Sequence, residues 1–258
     1  MNKLIAFCEK TTRAAGRLLL KQTVQIKNHK TANDLLTEND LKIEKFIVDR
    51  ISARFPEVNI VSEESNADKA LRGISVVIDP IDGTCNYAVG SDRFGVQLAI
   101  FDENVCCAAI IYLPRRDELI CAIKGQGTYI NGKRIFVSQS TPSSDGMLLI
   151  SDYYSSIQIP MDVQFELVKN LQADFLKTRH LGAACEDFSS LAKGQGLAYI
   201  CYYNYIWDIA PGLLIASECG YCYAAIDGGE YRYGDAGLVV ANNEKTLKMI
   251  TDKYKSIC

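Results

Sequence analysis

Apolar residues recur at helical spacing at the start of the chain, where Leu4, Cys8, Ala15, Leu18 and Leu19 share one face of a helix predicted over residues 3–21. Residues 22–33 read as a polar connection. A second helix is predicted over 38–55, with Ile43, Phe46, Ile47, Ile51 and Phe55 as its stripe and Pro56 as its stop. Beyond it the period shortens to that of strands. Residues 58–61 and 75–78 are the first two, followed by 95–101, 105–113, 118–123, 129–130 and 134–137. Their turns are Asp102-Glu103-Asn104, Pro114-Arg115-Arg116-Asp117 and Asn131-Gly132, the last a strong hairpin dipeptide. The middle third therefore reads as antiparallel sheet. The second half alternates: strands at 147–150, 175–178, 197–200, 221–226 and 238–240, with helices at 163–171, 185–193 and 209–217. Thr141 to Asp145 forms the one internal boundary, so halves 1–140 and 141–258 are expected to pack as one compact α/β (α+β) unit.

Composition narrows the function classes. With 258 residues, 48% hydrophobic and 23% charged, the chain can build a large core and is not disordered. A net charge of −3 argues against a nucleic-acid or anionic-membrane partner. No stretch approaches the ~18 apolar residues that span a bilayer. The apolar run from Leu4 to Cys8 is broken by Glu9, Lys10 and Arg13, which is no export signal. Ten cysteines in such a chain fit a reducing, cytoplasmic setting in which Cys serves as a small apolar residue. Cys219-Gly220-Tyr221-Cys222 has no second CxxC and no nearby His, so it reads as two Cys flanking a helix end.

The segment richest in chemistry is Asp79-Pro80-Ile81-Asp82-Gly83-Thr84. An apolar strand is expected to deliver Asp79 at its C-terminal end, Pro80 to turn the chain out, and Asp82 to return three residues later. Gly83 lets a ligand approach the backbone closely. Two carboxylates so presented can share hard cations such as Mg2+. The amides of Gly83 and Thr84 can meet a phosphate, more so if a short helix begins there. Asp-Pro and Asp-Gly turns are common by themselves, but the full string arises by chance on the order of 10⁻⁵ in this length.

These residues resemble the metal-binding signature of the inositol monophosphatase family of Mg2+-dependent, lithium-sensitive phosphatases. Trp207-Asp208-Ile209-Ala210-Pro211-Gly212 resembles its second signature, and Ser62-Glu63-Glu64-Ser65 its Gly-Glu-Glu. Lesser likenesses run from Asp34-Leu35-Leu36-Thr37 and Asp40 through Gly125-Gln126-Gly127 to Asn242, so the resemblance covers nearly the whole chain in order. It implies a layered α-β-α-β-α sandwich, a homodimer, and two or three Mg2+ ions. One ion would be held by Glu63, Asp79 and the Ile81 carbonyl, lowering the pKa of a water. Another would be held by Asp79, Asp82 and Asp208, neutralising the leaving oxygen. Gly83 and Thr84 would hold the phosphate, while Thr84 and Asp40 orient the water. Each residue also has a structural reading. Thr37-x-x-Asp40 fits a capping box, Asp208 fits a helix N-cap with Pro211 in the first turn, and Glu63-Glu64 fits a solvated turn. His29 and His180 receive no role.

The resemblance implies hydrolysis of a small polyol or sugar phosphate, with inositol 1-phosphate first. Fructose 1,6-bisphosphate is the runner-up, and phosphoadenosine phosphate is a further branch of the superfamily. One departure stands out: Cys201 occupies a position where many inositol enzymes carry a Glu, and its neighbours Tyr202, Tyr203, Asn204 and Tyr205 suggest an altered pocket. The reading from another class is a catalytically silent, metal-binding regulatory protein.

Overall fold

A computed structural model describes residues 1–31, 34–153, 159–202 and 205–258. Helix α1 (Asn2–Leu19) buries Leu4, Ile5, Cys8, Ala15 and Leu19. Strands β1 (Ile26–Thr31) and β2 (Asp34–Thr37) form an antiparallel ribbon, so the stretch read as a polar connection contains a strand. Ile26, Lys27 and Asn28 are all exposed, and a stretch of strand that buries neither face writes no alternation into the sequence. Thr37 caps helix α2 (Glu38–Arg54), and Asp40 returns the bond by accepting the Thr37 N–H at 2.7 Å. The expected capping box is present.

Next come β3 (Asn59–Ser62), β4 (Ile74–Asp82), the one-turn helix α3 (Thr84–Ala88), β5 (Gly95–Asp102), β6 (Val105–Leu113), β7 (Glu118–Ile123), β8 (Gly127–Ile130) and β9 (Lys133–Ile135). They form a seven-stranded sheet in sequence order. The β3–β4 pair is parallel and the others antiparallel. Asn131 and Gly132 both take positive φ, 47° and 79°, as a tight hairpin turn requires.

The second half contains β10 (Met147–Ile150), α4 (Met161–Leu171), β11 (Lys177–Arg179), α5 (Ala184–Ala192), β12 (Gly196–Cys201), α6 (Ile206–Glu218), β13 (Cys222–Ala225), β14 (Leu238–Ala241) and α7 (Glu244–Lys255). Its sheet runs β11-β10-β12-β14-β13, with β11, β10 and β12 parallel and β14 antiparallel to both neighbours. Sequence reasoning missed α7, although Leu247, Ile250 and Tyr254 recur there at helical spacing. That helix is highly charged, buries only Leu247 and Ile250 among its apolar residues, and is capped by Asn243.

Packing follows from these faces. Helices α1 and α2 cover the outer side of the larger sheet, burying Ile43, Ile47, Ile78 and Leu98 together. Helices α5 and α6 fill the space between the sheets, where Ile111, Phe188, Tyr199 and Ile215 meet. Helices α4 and α7 close the far side with Leu148, Leu167, Val239 and Ile250. The five layers alternate α-β-α-β-α, as expected. No described helix is long and apolar enough to cross a membrane.

Candidate metal centre

Strand β4 does not end at Asp79; it continues through Pro80 to Asp82. Residues three apart in a regular strand face opposite sides. Here the register against β5 shifts between Asp79 and Asp82, a bulge that brings both carboxylates together. Pro80 cannot donate to a ladder and suits that irregular position. The Asp79 carboxylate accepts the Ile81 N–H at 3.0 Å through Oδ1 and the Gln97 amide at 3.3 Å through Oδ2. Asp82 accepts the N–H groups of Ala184, at 3.2 Å, and Cys185. These are the first amides of α5, where a helix favours negative charge.

Asp208 comes from the other half of the chain. The N-cap of α6 is Tyr205, not Asp208, which sits third in the helix with its N–H on the Tyr205 carbonyl. Pro211 likewise lies inside the helix rather than in its first turn. Asp79, Asp82 and Asp208 are all buried, and each offers an oxygen within 4.8 Å of the others. Burial raises the Asp79 carboxyl well above the usual aspartate range, and the charges of Glu63, Asp82 and Asp208 raise it further. Asp82 is also raised by burial, against which its bonds from Ala184 and Cys185 work. Such a group wants a cation.

The remaining expected residues fall around this triad. Glu63 follows β3, half-buried, with its N–H on the Ile78 carbonyl at 3.1 Å. Its carboxylate stands outside the three that converge, although its charge acts on Asp79. The Glu64 N–H donates to buried Glu44 of α2 at 2.8 Å. Gly83 has φ of 84°, and a Cβ there would lie 2.8 Å from Ala183 and 3.0 Å from the Arg93 carbonyl. It leads into α3, the short helix beginning at Thr84. The Thr84 hydroxyl lies 3.1 Å from Asp40 Oδ1 and 2.9 Å from the Ile81 carbonyl, and its one proton can serve only one of them. Asp40 thus joins the cap of α2 to the head of α3.

Sequence reasoning missed Gln97, Glu44 and Asp187. Gln97 is fully buried, and its amide nitrogen bridges Asp79 and, at 3.5 Å, the Asp208 carbonyl, while its oxygen has no partner among the described residues. Asp187 of α5 is buried with one oxygen unpartnered among the described residues, and burial pushes its carboxyl up, helped by the charges of Asp82 and Asp152. A polar residue inside an apolar run was the available signal for Gln97.

The expected pocket around Cys201 needs correction. Cys201 is buried in the core between the sheets, and Tyr202 is buried too, donating to the Gln164 carbonyl at 3.2 Å rather than facing a ligand. Tyr203 and Asn204 lie outside the described residues. Tyr205 is exposed and stacks on Trp207, ring centroids 5.1 Å apart. Cys219 caps the end of α6 and Cys222 opens β13, both as free thiols flanking a helix end.

A family profile described as "Inositol monophosphatase family" matches residues 2–257. The chain belongs to that family. Among its relatives, the Inositol-1-monophosphatase of Bacillus subtilis is 31% identical over 95% of this chain and 94% of its own. The Nus factor SuhB of Pasteurella multocida is 30% identical over 99% and 97%. Among solved structures, an IMPase/NADP phosphatase complexed with Mg2+ and phosphate is 26% identical. It has a TM-score of 0.81, with 96% of this chain and 94% of that one covered. Membership of the inositol monophosphatase family accounts for both signatures and for the layered fold.

Proposed function

We propose that this protein is a Mg2+-dependent phosphatase that hydrolyses a small polyol or sugar phosphate, inositol 1-phosphate being the first candidate. The observation that carries this reading is the convergence of buried Asp79, Asp82 and Asp208 beside the turn at Gly83 and Thr84. Oxygen donors alone, bearing more charge than their burial tolerates, suit a hard divalent cation. Asp79, Asp82 and Asp208 would hold one ion; Glu63, Asp79 and the Ile81 carbonyl would hold another. Bound there, Mg2+ supplies positive charge to the phosphoryl oxygens and lowers the pKa of water.

The chain's own residues do the rest. The amides of Gly83 and Thr84, at the head of α3, hold phosphate oxygens and fix the direction of attack. The Thr84 hydroxyl, positioned by Asp40, orients the attacking water. Gln97 keeps the Asp79 carboxylate and the Asp208 backbone in register. Because Asp208 comes from the second half, residues 1–140 and 141–258 act as one catalytic unit. A homodimer is the expected assembly, and sedimentation equilibrium tests it.

Support also comes from the relatives, one named as an inositol-1-monophosphatase and one solved with Mg2+ and phosphate. Buried Cys201 offers no carboxylate to a polyol hydroxyl, which keeps fructose 1,6-bisphosphate as the runner-up substrate. The relative named Nus factor SuhB favours one second reading, a metal-binding regulatory protein without turnover. Initial rates over a panel of phosphate esters with Mg2+, then with added Li+, decide. Release from inositol 1-phosphate that Li+ inhibits supports the proposal. Release only from phosphoadenosine phosphate rejects the polyol assignment, and no release from any ester rejects the enzyme.

A further inference from the structure

From Val96 to Phe101 strand β5 is fully buried, and every residue in that run is apolar except Gln97. Gln97 stands directly opposite Asp79 in the β4–β5 ladder. It shares its face of the strand with Ala99 and Phe101, which pack with Ala210 of α6. That face is the seam along which α6 brings Asp208 to the first half of the chain. The Gln97 amide nitrogen carries two hydrogens and has two acceptors before it, one from each side of the seam. They are Asp79 Oδ2 at 3.3 Å and the Asp208 carbonyl at 3.5 Å. The amide oxygen has no partner among the described residues. A buried acceptor left unbonded costs stability, and an apolar side chain like those of Val96 and Leu98 would avoid that cost. Packing therefore does not account for glutamine at this position.

We propose that Gln97 is a positioning residue that ties Asp208 to Asp79 and thereby sets the affinity of the acidic centre for divalent metal. This rests on the reading of the triad as a metal centre. Asp79 and Asp82 are held together by one bulge of β4, whereas Asp208 arrives on a separate helix, so its place in the triad depends on contacts across the seam. A donor behind a ligating carboxylate fixes the direction of its lone pairs, and loss of such a bond weakens metal binding by about 10- to 100-fold. Gln97 touches Asp79 and the backbone of Asp208 and takes no part in the reaction itself.

Gln97→Met and Gln97→Leu keep a side chain of similar bulk but remove the donor. The probe is Mn2+, which takes the same oxygen donors as Mg2+ and whose free form is counted by electron paramagnetic resonance. Titrated into the metal-stripped full-length chain, it is expected to bind about 10- to 100-fold more weakly in both variants than in the parent. Their urea midpoints in EDTA should be no lower than the parent's, because the orphan oxygen leaves with the amide. A lowered midpoint with unchanged Mn2+ affinity would make Gln97 a packing residue and overturn the proposal. Asp208→Asn, alone and combined with Gln97→Met, tests the tie itself. The combined loss of affinity is expected to fall short of the product of the two single losses by about fivefold or more. Losses that simply multiply would overturn it. Mn2+ uptake by the parent that both Gln97 variants match overturns this inference alone, whereas no uptake by the parent overturns the metal reading along with it.

Discussion

Asp79→Asn removes one charge from the buried carboxylates while keeping the shape of the side chain. Two unit charges at 4.8 Å, the outer separation within the triad, repel by about 3.5 kcal/mol at an effective dielectric of ~20. Asp79 faces two such neighbours and Glu63 beyond them. Without a cation the folded protein escapes this cost by protonating. At pH 7, about three units above the ordinary aspartate value, that escape limits the penalty to about 4 kcal/mol. Asparagine gives part of it back, because both Asp79 oxygens accept N–H groups, at 3.0 and 3.3 Å, and an amide nitrogen can serve neither. That loss is about 1–3 kcal/mol. The metal-free variant is therefore expected to be about 1–3 kcal/mol more stable than the parent at pH 7, with the gain gone near pH 4. Urea denaturation in EDTA at both pH values measures it. Phosphatase rate with Mg2+ should fall on the order of 10³-fold or more. A metal-free variant less stable than the parent at pH 7 would refute the electrostatic argument.

Three further outcomes are expected. Thr84→Val should lower kcat by about 100-fold with little change in KM, while Thr84→Ser, which keeps the hydroxyl facing Asp40 and the Ile81 carbonyl, should retain most activity. Gly83→Ala should cost about 2 kcal/mol or more in urea unfolding, because its φ of 84° and the 2.8 Å approach of Ala183 both oppose a Cβ; unchanged stability would contradict the backbone described. Folded Asp79 and Asp82 hold protons more tightly than the unfolded chain does. Thermal stability of the metal-free protein should therefore fall as pH rises from about 4, and the rise in Tm on adding Mg2+ should grow over the same range; melts from pH 4 to 8 would expose a wrong sign.

Much of this was legible in the chain. The hairpin at Asn131-Gly132 and the apolar strands before it follow from turn chemistry and from burial, β4, β5 and much of β6 being covered on both faces. The two Asp-bearing signatures were visible because their spacing serves chemistry rather than packing. Two things were not. The bulge that aligns Asp79 with Asp82 depends on register against β5, which is written in neither strand alone. The contacts of Gln97 and Glu44 join residues far apart in sequence. Exposed Ile26, Lys27 and Asn28 gave β1 no apolar rhythm, whereas α7 carries one in Leu247, Ile250 and Tyr254 that its many charges obscure.

The central claim is that carboxylates distant in the chain converge to seat divalent ions. Calorimetric titration of Mg2+ into the metal-stripped protein, with and without inorganic phosphate, tests it most directly. Saturable uptake that tightens when phosphate is present is the expected result. Folded protein that takes up no Mg2+ even with phosphate supplied would contradict the account.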